Sequence, residues 1–122
     1  MRISSVVPQL RTTNLAASIA FYTEKLGFTL QFQHEDFYAG LLCGEHVVHV
    51  KLADAPDPSI TWVAEEGHFH LYLETPDVTA VANELKRRGV RLVADVHDTA
   101  WGTRECVITD NEGHTLYFGE RR

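Results

Sequence analysis

The chain has 122 residues, 44% of them hydrophobic, which is the size of one domain able to bury its own core. Its 11 Lys and Arg against 17 Asp and Glu give a net charge of −6. That balance argues against phosphate-tracking nucleic-acid binding and favours a neutral or cationic small molecule as partner. No apolar run reaches the roughly eighteen residues of a membrane span, and Met1 to Gln9 lacks the pattern of a secretory leader. Cys43 and Cys106 are too few for a disulfide framework or a cysteine zinc site. The expectation is a protein of a reducing cytoplasm, with neither a nucleic-acid nor a membrane partner.

In chain order, Val6 to Leu10 predicts a short strand, and Asn14 offers a helix N-cap. Leu15, Ile19, Tyr22 and Leu26 follow at helical spacing until Gly27 stops the helix. Phe28 to Gln33, Phe37 to Cys43 and His46 to Leu52 read as three strands, the last two joined at Gly44-Glu45. Ala53 to Thr61, with Pro56 and Pro58, reads as linker. The order then restarts. Phe69 to Leu73 predicts a strand, Thr75-Pro76-Asp77 a helix start, and Val78, Val81, Ala82 and Leu85 an apolar stripe ended by Gly89. Val90 to Val96, Arg104 to Thr109 and Thr115 to Gly119 complete the set.

The pattern is βαβββ twice. Leu15 and Val78, which open the helices, are 63 residues apart, and the stop glycines Gly27 and Gly89 are 62 apart. An internal repeat constrains architecture more than any one propensity. The expected fold is α+β: two βαβββ modules forming a curved mixed sheet around a cleft, a place where small ligands sit. An α+β sandwich with a filled centre is the alternative. The expected organisation is a single domain, 1–122, with modules of about 1–53 and 67–122 joined by a linker at 54–66.

Leu10-Arg11-Thr12-Thr13-Asn14-Leu15 and Phe21-Tyr22-Thr23-Glu24-Lys25-Leu26-Gly27-Phe28 resemble the opening of the glyoxalase/bleomycin-resistance/extradiol-dioxygenase superfamily, the vicinal oxygen chelate proteins. His70-Leu71-Tyr72-Leu73, Leu85-Lys86-Arg87-Arg88-Gly89 and Asp110-Asn111-Glu112-Gly113-His114 agree in the second half. The resemblance spans nearly the whole chain and is specific for the fold. It does not fix the reaction, because the superfamily includes lyases, dioxygenases, epimerases, thiol transferases and proteins that only bind drugs. Bleomycin-resistance proteins look most similar, through Val7-Pro8, Glu35 to Gly40, Thr61-Trp62-Val63 and Ala100 to Glu105. That resemblance implies a homodimer binding a cationic molecule in grooves at the subunit interface without chemistry. It also allows exchange of the strand near Pro8 between subunits.

The catalytic relatives hold a divalent metal on four strands, at positions that fall here on Val7, His49, His70 and Tyr117. Val7 cannot ligate, and a phenol replaces a carboxylate poorly. The expectation is no metal, with His49 and His70 as neutral pocket residues. The alternative is a Zn, Ni, Mn or Fe site on His49 and His70, completed by Glu105 or His68, with Glu105 as base in a glyoxalase-like lyase or ring-cleaving dioxygenase. His34, His97 and His114 are expected in or near turns and solvated.

The candidate ligand-binding residues are Phe37, Tyr38, His49, Trp62, His70, Trp101, Glu105 and Tyr117. Trp62 and Trp101 lie beside a turn or linker and, with Phe37, Tyr38 and Tyr117, supply flat faces for planar rings and cations. Alternatively, the tryptophans merely cap the sheet ends. Glu35, Asp36, Glu65, Glu66 and Glu105 favour a positive ligand, although Glu65-Glu66 alone reads as a solvated pair. Cys43 and Cys106 fall in strands and read as inert, with Glu105 discouraging a Cys106 thiolate. The leading expectation is thus small-molecule sequestration of the bleomycin-resistance type, as a means of antibiotic resistance.

Overall fold

A computed structural model describes residues 1–122, which fall into two units, 1–57 and 58–122. Unit 1 contains β1 (Gln9–Thr12), α1 (Leu15–Ala20), β2 (Thr29–His34), β3 (Tyr38–Cys43) and β4 (His46–Leu52). Its sheet has the order β1-β4-β3-β2, with β1 and β4 parallel and the other pairs antiparallel. Unit 2 contains α2 (Ser59–Glu65), β5 (Leu71–Glu74), α3 (Val78–Arg87), β6 (Ala94–Asp98), β7 (Thr103–Thr109) and β8 (Thr115–Arg121). Its sheet, β5-β8-β7-β6, repeats the same pairing. The α+β class and the duplicated βαβββ order expected from the sequence are both present.

The repeat extends to the atoms that start each helix. Asn14 Oδ1 accepts from Ala17 N–H at 3.0 Å, and Asp77 Oδ1 accepts from Ala80 N–H at 3.0 Å. Thr12 Oγ1 accepts from Asn14 N–H, and Thr75 Oγ1 from Asp77 N–H. Each short side chain satisfies a backbone donor that the first helical turn leaves over. Helix α3 ends at Gly89, whose φ of 81° suits only a residue without Cβ. There Gly89 N–H bonds to Lys86 O and Val90 N–H to Leu85 O, closing the last carbonyls.

Strand alternation then assigns the faces. In unit 1, Leu10, Ala39, Leu41, Val48 and Val50 are buried toward α1. In unit 2, Leu71, Cys106, Ile108, Leu116 and Phe118 are buried with Val78, Ala82 and Leu85 of α3. The opposite face of each sheet carries the aromatic and polar residues described below.

Several boundaries differ from the sequence reading. Helix α1 passes into a π-helical turn over Phe21–Lys25. Thr23 Oγ1 donates to Ile19 O at 2.8 Å, drawing that carbonyl out of the regular ladder. Strand β1 begins at Gln9 rather than Val6; Pro8 has no N–H to donate, and its carbonyl accepts from His49 N–H. Residues 90–93 precede β6 because Val90 is spent closing α3. Helix α2 lies inside the stretch read as linker: Pro58 stands at its N-cap, and seven residues are too few to show an apolar period. No helix is long and apolar enough to cross a membrane.

Asn14→Ala and Asp77→Ala should each lower stability by about 1 kcal/mol, measured by urea unfolding. Equal, negligible losses would show that these side chains do not start the helices.

Candidate functional site

The free face of the unit 1 sheet is built around Gly40. A Cβ there would lie 2.3 Å from the Phe32 ring, so glycine is what lets that ring lie flat across β3. A register shift between Leu30 and Phe32 turns the ring onto this face. Phe32 stacks on Tyr38, with centroids 6.1 Å apart, and meets His49 edge-on at 5.4 Å. Gln9 Nε2 donates to Tyr38 Oη at 3.0 Å, and Tyr38 Oη lies 2.9 Å from His49 Nδ1. Tyr38 Oη thus links the Gln9 amide to the His49 imidazole. Phe37 is 43% exposed, and Lys51 Nζ sits 5.6 Å from its ring centroid. A ligand cation stacking on Phe37 would have to displace that lysine.

The same face of unit 2 is built around Gly119. A Cβ there would lie 1.9 Å from Tyr72 Oη, so the missing side chain clears the path of the phenol to β7. Tyr72 Oη donates to Glu105 Oε2 at 2.7 Å, and Thr103 Oγ1 donates to the same oxygen at 3.0 Å. Glu105 is only 3% exposed, so this carboxylate is held by hydroxyl donors rather than by water. Burial, then the adjacent Glu105, push the Tyr72 phenol up to about 12. Phe69 packs 5.4 Å from both Tyr72 and Tyr117, and Tyr117 Oη donates to Gly67 O at 3.2 Å.

His70 is fixed by its neighbours. Thr115 N–H donates to its Nδ1 at 3.0 Å, so the neutral ring carries its proton on Nε2, which lies 3.0 Å from Ser59 Oγ. His114, expected to be solvated, is 1% exposed, because Asp110 buries with it. Asp110 Oδ1 accepts the backbone N–H groups of Glu112, Gly113 and His114, and Oδ2 accepts from His114 Nδ1 at 2.8 Å. The two imidazoles meet edge to face, with centroids 4.8 Å apart.

The expected site residues therefore divide between the units. Phe37, Tyr38 and His49 lie in unit 1; Trp62, His70, Trp101, Glu105 and Tyr117 lie in unit 2. Within unit 1, Tyr38 and His49 share one hydrogen-bonded cluster, with Phe37 beside the Tyr38 ring at 6.5 Å. Within unit 2, Trp62 is on α2 rather than beside a turn, its ring edge-on to His68 and 54% exposed. Trp101 stands 74% exposed between β6 and β7. The sequence reading did not single out Phe32, Tyr72, Thr103, Gly40 or Gly119. Two signals were present: glycines inside strands, which mark close approach, and the repeat, which makes Tyr72 the second-module equivalent of Gln9.

Both cysteines are unpaired thiols. Burial pushes Cys106 up to about 11 and raises Cys43. Asp95, rather than Glu105, adds the repulsion at Cys106, because Glu105 points to the other face of β7.

A family model, the Glyoxalase/Bleomycin resistance protein/Dioxygenase superfamily, matches residues 2–118. The chain belongs to this superfamily. It is similar to an uncharacterized protein of Mycolicibacterium smegmatis, 36% identical over 89% of this chain and 86% of that one. A bleomycin resistance protein of Geobacillus stearothermophilus is 27% identical over 92% of each chain. Among solved structures, a glyoxalase-related enzyme from Clostridium phytofermentans superposes with TM-score 0.81, at 18% identity over 100% and 98% of the two chains. The bleomycin-binding protein of Streptomyces verticillus gives 0.72, at 20% identity over 97% and 96%. Both share the fold.

The chelating positions of the catalytic relatives can be tested on these donors. Val7 offers an alkyl group, and Tyr117 spends its phenol hydrogen on a carbonyl. His49 Nδ1 is bonded to Tyr38, and His70 Nδ1 to a backbone N–H. Ring nitrogens of His70 and His114 come within 4.8 Å of each other, but with Thr115 N–H on Nδ1 and the proton on Nε2, neutral His70 has no free lone pair to offer a cation. Neither unit by itself presents the three donors of a catalytic centre at the family positions.

Two outcomes check the Tyr72–Glu105 arrangement. The raised phenol costs stability as pH rises from its unfolded value near 10 toward 12, since the unfolded chain ionises first. Tyr72→Phe should flatten that decline in urea midpoints, and an unchanged decline would contradict the assignment. Gly119→Ala should destabilise by about 1–3 kcal/mol through overpacking, with the loss smaller in a Tyr72→Phe background.

Proposed function

We propose that this protein binds a small aromatic or cationic molecule without transforming it, a reading supported by its similarity to proteins named for bleomycin resistance and by its sharing a fold with a bleomycin-binding protein. It does so as a cytoplasmic homodimer of single-domain chains, each made of two modules. The observation that carries the reading is at His70, where Thr115 N–H donates to Nδ1 and Nε2 lies 3.0 Å from Ser59 Oγ. A ring nitrogen already accepting a backbone N–H has no lone pair left for an ion.

Aromatic surface supports the same reading. Phe32, Tyr38 and His49 form one partly exposed ring cluster, and Phe69, Tyr72 and Tyr117 another. Stacking adds about 0.5–1.5 kcal/mol per aromatic pair beyond burial, and a desolvated cation up to about 2. A nanomolar complex needs about −12 kcal/mol, so a few such contacts together with apolar burial suffice. Glu35 and Asp36 beside β3, and Glu65 and Glu66 at the end of α2, attract a positive ligand to these surfaces. The two cysteines are unpaired thiols, as a reducing compartment allows.

Titration with a panel of planar cations that includes bleomycin should quench Trp62 and Trp101 fluorescence saturably. Untagged protein should show no stoichiometric Zn, Ni, Mn or Fe by elemental analysis, and should sediment as a dimer. Stoichiometric metal lost on His70→Ala would replace this reading with a metal-dependent lyase or dioxygenase. Absence of quenching across the panel would remove the drug-binding version.

A further inference from the structure

The free face of the unit 2 sheet holds a negative charge that the chain itself leaves unanswered. Glu105 is 3% exposed, yet no Lys, Arg or His nitrogen stands within ion-pair reach of its carboxylate, because the neighbouring cations are engaged elsewhere. Arg104 Nε lies 2.7 Å from Asp98, Arg122 Nη2 lies 3.5 Å from the same acid, and Arg121 Nε lies 3.2 Å from Glu74. His97 stands opposite Glu105 in the register of β6 and β7, but its Nδ1 turns back to Asp95 O at 2.8 Å. Buried charges are ordinarily paired, and an unpaired one carries a desolvation cost.

The two oxygens of Glu105 are not equivalent. Tyr72 Oη and Thr103 Oγ1 both donate to Oε2, which fixes the carboxylate in one orientation. Oε1 accepts from no donor of the protein, and it is not one of the side-chain atoms sealed from solvent. The small exposure of Glu105 therefore extends to its second oxygen. An opening of that size admits a single N–H, whereas an N-methyl group is too bulky for it. Aromatic surface adjoins the opening. The Tyr72 ring has Phe69 at 5.4 Å and Tyr117 at 6.3 Å, and Phe69 is 48% exposed. Ring faces beside a carboxylate suit a planar organic cation. A metal ion fits less well, since one carboxylate oxygen falls short of the ligands that it requires.

We propose that Glu105 Oε1 anchors an N–H-bearing organic cation, an amidinium or primary ammonium attached to a flat ring, with Tyr72 and Thr103 positioning the carboxylate. The proposal rests on the binding reading above and names the ligand group that unit 2 takes. A charge-assisted hydrogen bond is roughly twice as strong as a neutral one, so the ligand needs both the charge and the donor.

Benzamidine, benzamide and benzyltrimethylammonium are the probes, followed on the full chain by amide chemical shifts. They compare a cation with N–H groups, a neutral donor of the same shape, and a cation without a donor. Benzamidine should produce saturable shifts centred on Tyr72, Thr103 and Glu105, with the other two weaker by about tenfold. Glu105→Gln keeps the shape and an accepting oxygen but drops the charge, and should bind benzamidine no better than benzamide. Thr103→Val should reduce the preference for benzamidine, and Thr103→Ser should restore it. The probe series on the unmodified chain is decisive even where Glu105→Gln does not fold. No saturable shift with benzamidine, equal binding of either other probe, or an unchanged preference in Glu105→Gln or Thr103→Val overturns the proposal. If planar cations still quench the tryptophans while benzamidine misses Glu105, this inference falls and the broader reading stands; anchored benzamidine without quenching by any panel member separates them the other way.

Discussion

Each sheet has one face committed to a helix, and everything else about the molecule follows from that. Strand alternation sends Leu41, Val48 and Val50 toward α1, and Cys106, Ile108 and Leu116 toward α3. The next residues along the same strands must then face the other way. Tyr38, Gly40 and His49 in unit 1, and Glu105, Tyr117 and Gly119 in unit 2, are on the free face by parity before they have any role in a site. A one-residue slip of register would exchange core and site in either sheet. The paired caps at Asn14 and Asp77 hold the helices in the same phase, which is why two divergent halves retain one geometry.

On those free faces, glycine does what a larger residue cannot. Gly40 lets Phe32 lie across β3, and Gly119 lets the Tyr72 phenol reach Glu105. The two clusters are built alike but end in different chemistry. In unit 1 a phenol links an amide to an imidazole; in unit 2 a phenol and a threonine hydroxyl hold a buried carboxylate. Glu105 Oε2 is thus occupied as an acceptor in this arrangement, and its Tyr72 partner is a weaker acid than an ordinary phenol. Such a pair orients a ring at the surface more readily than it transfers a proton near neutral pH.

The fold was legible in the sequence because its signals are local and repeated. Leu15 and Val78, Asn14 and Asp77, Gly27 and Gly89 each report the same turn of the same motif. Helix α2 was not legible, since seven residues after Pro58 carry no period, and Trp62 was accordingly misplaced. The π-turn at Phe21–Lys25 was hidden for a related reason: it depends on one hydroxyl, Thr23, choosing a carbonyl. At the site, residue types were readable but partners were not. Tyr38 and His49 sit eleven residues apart on adjacent strands, whereas the Tyr72–Glu105 contact spans 33 residues and depends on Gly119 being small. His114 looked like a turn residue and is one, yet it is buried because Asp110 organises that turn around its carboxylate.

The account depends most on how His70 spends its ring nitrogens. Long-range proton–nitrogen correlation spectra of the histidine side chains, recorded with and without added Zn²⁺, read this directly. The account predicts a neutral His70 with its proton on Nε2, an unprotonated Nδ1 accepting the Thr115 amide, and both signals unmoved by the metal. A His70 nitrogen that shifts to a zinc-bound position at stoichiometric Zn²⁺, with release of the Thr115 amide, would contradict it.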